Sequence, residues 1–311
     1  MHVETVTSAQ NPKIKTLLSL QEKARLRKEM GLFVVEGRRE LEHCVSAGFE
    51  IDTVFYCPEI FGLALPAGTE SGGSLSYDNR LTSFGPTIRS AYGPPSYVAE
   101  GGTCCCRTAA GQTPKVLEKA RQIVNVTAEL YNKIAYRGGT EGIIAEVKAK
   151  TQTLESLKLP ENPLIIILES VEKPGNLGAV LRSADAAGAD AVLICDPLTD
   201  LFNPNLIRAS IGAIFTVPTV CCSSEEAIDW LKANRIKLFT AQLQDSSWYY
   251  DTDMKGATAI AIGTEATGLT DIWREAADAH IKIPMLGELD SLNASVSAAI
   301  LLFEAVRQRN A

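Results

Sequence analysis

The sequence predicts an α/β protein of two domains: a small α/β domain followed by a larger domain built on a parallel sheet. Three observations support this. A chain of 311 residues is about twice the usual single-domain length. Its second half alternates short apolar runs with helical patterns, the order that gives a parallel sheet. A polar segment, 151–162, separates the halves. We therefore expect a first domain over 1–150, a linker over 151–162 and a second domain over 163–311.

The first domain reads as a compact α/β unit with one long interruption. Apolar residues recur at helical spacing over 11–30, and Gly31 ends that pattern. LFVVEG and IDTVFYC then predict strands on either side of a helix. Residues 62–113 are dense in Gly, Ser, Thr and Pro and predict an irregular insertion. Beyond the insertion, residues 116–136 read as mostly helical, and GIIAEVKAK predicts a strand that closes the sheet.

The second domain has a succession of apolar strands, several of them buried on both faces. LIIILES is nearly continuous in apolar residues, as a central parallel strand should be. The predicted strands are LIIILES (164–170), AVLICD (191–196), KLFTAQ (237–242), ATAIAIG (257–263) and HIKIPM (280–285). The predicted helices lie over 177–189, 223–234 and 294–309.

Composition excludes several classes of protein. No apolar run approaches the roughly 18 residues that span a bilayer, and the first residues lack a signal peptide's apolar stretch. The eight Cys form no C-x-x-C pair, and none of the three His stands at ligand spacing from another His or Cys. We expect a cytoplasmic protein with reduced thiols and no metal site.

Charge is distributed unevenly along the chain. The net charge is −7, yet residues 1–150 carry 18 Lys and Arg against 16 Asp and Glu, whereas residues 151–311 carry 12 against 21. Within 11–28, six basic residues face only Glu22. Such a stretch is typical of RNA binding, with a solvated helix face as the alternative. The predicted RNA contacts here are Lys23, Arg25 and Arg27.

Three loops of the second domain follow strand ends, where open parallel sheets bind ligands. VEKPGNLG places Asn176 at an expected helix N-cap, with Arg182 off the buried stripe of that helix. GTEATGL carries one acid, Glu265, between two glycines, and LGELDSLN opens the last helix. Neither G-x-G-x-x-G, G-x-S-x-G nor a P-loop motif occurs, which argues against dinucleotide, hydrolase and P-loop sites.

Together these segments resemble a known family. NLGAVLRSADAAGADAVLI, AIAIGTEATGL and IPMLGELDSLNASVSAAILLFEAVRQR resemble motifs 1, 2 and 3 of the SpoU/TrmH methyltransferases of the SPOUT superfamily. The resemblance implies a deep trefoil knot, S-adenosylmethionine as methyl donor, RNA as substrate and a homodimer formed through the knotted domain. It implies a cofactor site of Gly263, Glu265, Gly268, Ile283, Leu292 and Asn293. It places Asn176, Arg182, Glu265, Ser291 and Asn293 in or beside the catalytic centre.

The chemistry implied by the resemblance is transfer of a methyl group to a ribose 2′-hydroxyl. A guanidinium stays protonated and is a poor general base. We therefore expect Arg182 to bind a phosphate and stabilise the developing alkoxide, with Asn176 and Asn293 holding Arg182 and the ribose in place. Glu265 is expected to orient groups rather than to accept the proton.

The first domain resembles the ribosomal-protein-like RNA-binding domain that precedes the methyltransferase in many relatives. The turn at Glu36, Gly37 and Arg38 and a second turn at Arg137 carry the likeness, which adds Arg38 and Arg137 to the predicted RNA contacts. It favours ribosomal RNA over transfer RNA. The alternatives are a transfer RNA methyltransferase, an inactive RNA-binding protein of the same fold, and an oxidoreductase that the missing glycine fingerprint disfavours.

Overall fold

The structure is a computed structural model that describes residues 2–62, 115–136, 141–288 and 291–311. Apart from Gly62, the predicted insertion over 62–113 lies outside the described residues, as does Arg137.

The first domain is a five-stranded mixed sheet in the order β1-β4-β3-β5-β2. Its strands are β1 (His2–Val6), β2 (Leu32–Glu36), β3 (Ile51–Tyr56), β4 (Gln122–Val126) and β5 (Ile143–Lys148). Its helices are α1 (Pro12–Glu22), α2 (Ala24–Met30), α3 (Arg38–Ser46), α4 (Pro58–Phe61), α5 (Lys115–Glu118) and α6 (Ala128–Ile134). The last strand, β5, runs antiparallel between β2 and β3 and so completes the sheet, as GIIAEVKAK predicts.

Two local predictions for this domain are wrong. The segment 11–30 is two helices rather than one, because Lys23 has an extended backbone and interrupts the hydrogen bonding between α1 and α2. The stretch 116–136 contains β4, which pairs in parallel with both β1 and β3. Pairing with strands distant in sequence overrides a helical pattern of this length. β1 itself has no counterpart among the predicted strands.

The second domain is a seven-stranded sheet in the order β10-β12-β9-β11-β6-β7-β8, and each of its strand pairings is parallel. Its strands are β6 (Leu164–Glu169), β7 (Ala191–Cys195), β8 (Thr219–Cys222), β9 (Lys237–Ala241), β10 (Ser247–Trp248), β11 (Thr258–Ile262) and β12 (Ala279–Lys282). Its helices are α7 (Pro174–Ala187), α8 (Pro204–Ala209), α9 (Ala213–Thr216), α10 (Ser224–Ala233), α11 (Asp271–Ala276) and α12 (Ala294–Arg309). The predicted α/β class with a parallel C-terminal sheet is confirmed, whereas the trefoil knot stays a prediction.

One hydrophobic cluster runs through both domains. It joins buried residues of the first sheet to β6, α7 and α12 of the second domain. At the contact, the ring of Phe33 stacks on that of Phe202 with centroids 4.2 Å apart, and Phe49 meets Phe215 edge-on at 5.3 Å. The two sheets therefore share an apolar core.

A buried ion pair adds to this contact. The side chain of Arg27 is only 4% exposed, and its Nε lies 2.5 Å from Oδ2 of Asp200 in the second domain. Its Nη1 also donates to the carbonyl oxygens of Leu20 and Gln21. The prediction that Arg27 contacts RNA is therefore wrong: the guanidinium is enclosed in the protein and already paired.

Within the described ranges, no helix combines the length and apolar character needed to cross a bilayer.

Candidate active site

The first loop of the site begins where β6 ends and α7 starts. Proline stands at the first position of α7, where its missing N–H costs no hydrogen bond, and Lys173 is the N-cap. The prediction that Asn176 is the N-cap is wrong, because Pro174 starts the helix earlier. Asn176 instead lies in the first turn of α7 with its side chain turned towards the second loop.

Three loops meet at Glu265. Its Oε2 accepts a hydrogen bond from Nζ of Lys173 at 2.9 Å, and its Oε1 accepts from Nδ2 of Asn176 at 3.0 Å. Asn293 Nδ2 donates to the same Oε1 at 2.5 Å and to Asn176 Oδ1 at 3.1 Å. We call these four residues, Lys173, Asn176, Glu265 and Asn293, the polar cluster. It joins side chains up to 117 residues apart in sequence.

The sheet order explains why these loops meet. β6 and β11 are neighbours, and β12 is separated from β11 only by β9. Because the strands are parallel, their carboxyl ends lie at one edge, as expected for a ligand site. Asn293 is fixed further as the N-cap of α12, since its Oδ1 accepts from the backbone N–H of Ser295 at 3.0 Å.

Electrostatics keeps the cluster's carboxylate charged. The hydrogen bond from Lys173, followed by that from Asn176, lowers the pKa of Glu265 below its usual value. A carboxylate with a lowered pKa is a weak base near neutral pH. This agrees with an orienting role for Glu265 rather than proton removal.

Arg182 lies on the exposed side of α7, whose buried residues include Leu177, Val180, Leu181 and Ala184. Among the described residues its side chain has no hydrogen bond or ion pair. Asn176 and Asn293 bond each other and Glu265 rather than Arg182, which departs from the expected holding role. The guanidinium is thus available to a ligand.

Two backbone hydrogen bonds close the second loop. Thr264 and Gly268 exchange backbone hydrogen bonds of 3.2 and 3.1 Å, with Gly268 at a φ of +69°. Below the loop, the buried carboxylate of Glu169 accepts from the backbone N–H of Thr270 at 2.9 Å and from its hydroxyl at 2.5 Å. Sequence reasoning missed Glu169, which ends the strand before the VEKPGNLG loop, and Lys173, which lies within that loop.

The backbone around Gly263 leaves no space for a side chain. A Cβ there would lie 2.1 Å from the backbone carbon of Gly268. We expect Gly263→Ala to displace the second loop and to cost about 1–3 kcal/mol of stability. It should also weaken ligand binding in the cavity that this loop lines, which is described below. Chemical denaturation and calorimetric titration would measure the two effects.

Gly256→Ala is the matched control, because its Cβ would meet only Asn162 Oδ1, at 3.9 Å. Equal behaviour of the two variants would contradict the role given to Gly263.

A cavity of about 390 Å³ adjoins the polar cluster, within the range of roughly 300–1,000 Å³ typical of small-molecule sites. We call it the loop cavity, since the loops after β9, β11 and β12 and the start of α12 line it. Of the residues predicted to bind cofactor or to act in catalysis, it contains Gly263, Glu265, Gly268, Ile283, Ser291 and Leu292. Asn293 lies beside it in the polar cluster.

The lining suits a mixed polar and apolar ligand such as S-adenosylmethionine. Ile262, Ile283 and Leu301 offer apolar walls, and Glu265 a charged edge. In the part of the chain that is described, no group of three or more His, Cys, Asp or Glu could hold a metal ion.

The other predicted RNA contacts differ in their surroundings. Lys23 and Arg25 are exposed, and Arg25 pairs with Glu29 on the same helix; Lys28, which was not among the predicted contacts, is exposed beside them. Arg38 is half-buried: its guanidinium carbon lies 3.6 Å from the ring centroid of Phe61, and it donates to the Phe61 carbonyl. Arg38 therefore packs within its own domain, and its contact with RNA stays a prediction.

Two family models match the chain. Residues 163–303 match the SpoU rRNA Methylase family, and residues 11–73 match the MRM3-like substrate binding domain.

Curated relatives include 23S rRNA methyltransferases. The 23S rRNA (guanosine-2′-O-)-methyltransferase RlmB of Vibrio parahaemolyticus is 35% identical over 60% of this chain and 78% of its own length. The 23S rRNA (uridine(2479)-2′-O)-methyltransferase of Streptomyces viridochromogenes is 34% identical over 54% of this chain. The chain spans 60% of the length of that protein and 66% of the length of the 23S rRNA (guanosine(2553)-2′-O)-methyltransferase of Bacillus subtilis.

Solved structures match over almost the whole chain. One titled RNA 2′-O ribose methyltransferase is 33% identical with a TM-score of 0.72, covering 99% of this chain and all of its own. The SpoU methyltransferase AviRb of Streptomyces viridochromogenes is 25% identical, with a TM-score of 0.74 and coverage of 96% and 98%. An AdoMet-bound rRNA methyltransferase of Sinorhizobium meliloti shares the fold at 23% identity, with a TM-score of 0.76 and coverage of 98% of each chain.

Three findings lead to the same assignment. The chain covers 78% of RlmB of Vibrio parahaemolyticus, both family models match in chain order, and the three motif segments meet at one sheet edge. As its motifs predict, the chain belongs to the SpoU rRNA methylase family.

Proposed function

We propose that the protein transfers a methyl group from S-adenosylmethionine to a ribose 2′-hydroxyl of ribosomal RNA. The observation that carries this proposal is the position of Glu265. It lines the loop cavity and also accepts hydrogen bonds from Lys173, Asn176 and Asn293. A small-molecule site and a cluster able to orient a polar substrate therefore share one residue.

When bound, S-adenosylmethionine supplies a methyl group already activated on a sulfonium, so the protein chiefly aligns the acceptor. The second and third loops hold the donor through Gly263, Gly268, Ile283 and Leu292, and the amides of Asn176 and Asn293 offer partners to the ribose. AdoMet-bound solved relatives support this cofactor.

Arg182 contacts the RNA in this proposal. Its exposed guanidinium binds the phosphate next to the target ribose and stabilises the alkoxide as the hydroxyl loses its proton. The proton leaves to a phosphate oxygen or through a water, because Arg182 stays protonated and Glu265 is a weak base.

The relatives' names favour 23S ribosomal RNA as the substrate class, and the match to an MRM3-like substrate binding domain supports an RNA surface on the first domain. Exposed Lys23, Arg25 and Lys28 form the basic part of that surface.

The test is methyl transfer from tritium-labelled S-adenosylmethionine to separated ribosomal and transfer RNA from a strain lacking the gene. A 2′-O-methyl group blocks alkaline cleavage at its own linkage, so we expect label in alkali-resistant dinucleotides from ribosomal RNA. Label confined to transfer RNA would overturn the substrate. Absence of label from both RNAs and from ribosomal precursor particles, despite cofactor binding, would favour an inactive RNA-binding protein.

Neutralising Lys23, Arg25 and Lys28 together should weaken RNA binding and flatten its salt dependence. The slope of log K against log salt is negative, and each lost phosphate contact reduces its magnitude by about 0.7–0.9. Filter binding across a salt series measures this slope. Neutralising Lys232, Lys237 and Lys255, three lysines exposed on the second domain, is the matched control. If the triple variant keeps the wild-type slope, the basic face of α2 is only solvated and does not contact RNA.

We also propose a cytoplasmic homodimer with the knotted topology of the family. Support for the dimer comes from α12, where Val296 and Phe303 are 46% and 47% exposed and stand seven residues apart on one side of the helix. Light scattering on Val296→Glu and Phe303→Glu variants is expected to show monomers. A dimer that survives both changes would place the interface elsewhere.

A further inference from the structure

A buried carboxylate lies between the first and second loops of the site. Glu169 ends β6, shortly before Lys173 of the polar cluster, and is only 3% exposed. Its Oε2 accepts a hydrogen bond from the backbone N–H of Thr270 at 2.9 Å, and its Oε1 accepts from the Thr270 hydroxyl at 2.5 Å. Burial of a carboxylate is unfavourable without such hydrogen bonds, so both donors of Thr270 help to keep this charge in place.

Thr270 directs its side chain to Glu169 rather than to its own helix. It is the N-cap of α11, yet within the described residues its side chain makes no capping hydrogen bond. A threonine N-cap usually accepts from the first N–H groups of the helix, and the helix loses stability without that bond. The orientation of Thr270 is therefore set by Glu169, 101 residues away along the chain.

The bond between these residues fixes where the second loop returns to the sheet. β6 and β11 are neighbouring parallel strands, and each leads directly into one of the two loops. The return of the second loop passes close over its own start, since a Cβ on Gly263 would lie 2.4 Å from the backbone nitrogen of Leu269. Thr270 follows at once, so its bond to Glu169 holds the end of the second loop against the start of the first.

We propose that Glu169 is a positioning residue for methyl transfer, an inference that rests on the proposed function. Its carboxylate anchors the second loop to the end of β6. Glu265, on the second loop, is thereby kept within hydrogen-bonding distance of Lys173 and Asn176 on the first. Glu169 touches neither the methyl donor nor the RNA and acts through Glu265. A displacement of about 1 Å at a reacting centre costs about a hundredfold in rate, so the anchor affects the reaction as well as folding.

A second carboxylate with similar bonding provides the matched control. Asp196 follows β7, and its Oδ2 accepts from the backbone N–H of Ser224 at 3.2 Å and from the Ser224 hydroxyl at 2.6 Å. This bond also joins a strand end to a helix start, because Ser224 begins α10. Neither residue belongs to the three loops of the site. Its loss should therefore lower stability without displacing the polar cluster.

The test measures kcat and the KM for RNA at saturating S-adenosylmethionine, together with the melting temperature. We expect Glu169→Gln to lower kcat about ten- to a hundredfold and to leave the KM for RNA within about twofold of wild type. Asp196→Asn should lower the melting temperature but keep the wild-type kcat. Thr270→Ser keeps both donors and should retain activity, whereas Thr270→Val loses the hydroxyl and should lower kcat as Glu169→Gln does.

A double variant shows whether the two residues act through one bond. If they do, Glu169→Gln combined with Thr270→Val should be no slower than the slower of the two single variants. Losses in kcat that multiply in the double variant would mean that the residues act independently, and the inference would be overturned.

The remaining outcomes separate this inference from the proposed function. If wild-type protein transfers no methyl group to any RNA, the proposed function fails and the role of Glu169 fails with it. If wild type is active and folded Glu169→Gln keeps the wild-type kcat, only the positioning role is overturned. An equal loss of kcat in Asp196→Asn would also overturn it, because general loosening of the fold would explain both. If Glu169→Gln does not fold, equal kcat values for Thr270→Val and Thr270→Ser overturn the role in the same way.

Discussion

Arg182→Ala is expected to lower the rate of methyl transfer by at least about a hundredfold, in the range seen when one donor to a developing oxyanion is removed. Folding and cofactor binding should persist, because Arg182 is exposed and bonds no described residue. Single-turnover transfer with saturating RNA measures the loss. S-adenosylhomocysteine should still raise the melting temperature of the variant by mass action.

Lys232→Ala removes one positive charge from the exposed surface of another helix and is the matched control. If Arg182→Ala transfers methyl groups at the wild-type rate, Arg182 neither binds the phosphate nor stabilises the alkoxide. Loss of S-adenosylhomocysteine binding along with activity would instead assign Arg182 to the cofactor site.

Arg27→Met is expected to lower the free energy of unfolding by about 3 kcal/mol. Breaking one partner of a buried ion pair costs about 3–5 kcal/mol, and the lower end applies because the Asp200 side chain is 26% exposed and keeps some water. The carbonyls of Leu20 and Gln21 also lose their donor. Urea denaturation measures the change.

Arg25→Ala is a close control, two residues along the same helix, with a side chain 90% exposed and an ion pair to Glu29. Exposed pairs of this kind contribute little, so we expect no measurable change in stability. Comparable stability of the two variants would mean that the Arg27–Asp200 pair does not support the domain contact. RNA binding should respond in the opposite order, with Arg25→Ala the weaker binder.

The sequence was most informative for the second domain. Near-continuous apolar strands such as β6 are recognisable without tertiary information, and the carboxyl ends of parallel strands collect the loops at one edge. That reasoning brings Asn176, Glu265 and Asn293 together, as their hydrogen bonds show. The start of α7 was misplaced because asparagine is a favoured N-cap residue, whereas Pro174 takes the first helical position and makes Lys173 the N-cap.

What the sequence could not predict depends on contacts distant along the chain. Arg27 belongs to a basic stretch typical of RNA binding, and only the approach of Asp200, 173 residues away, shows that it is buried. β4 is a strand because β1 and β3 flank it.

The stacking of Phe33 on Phe202 has a consequence for how the molecule unfolds. Because both sheets contribute to one apolar cluster, unfolding of either domain exposes the aromatic face of the other. Cooperativity should therefore extend across the domain boundary, giving a single calorimetric transition whose van't Hoff and calorimetric enthalpies agree. Cutting the chain between 151 and 162 would then yield two fragments that each expose an apolar patch, aggregate readily and are less stable than the intact protein.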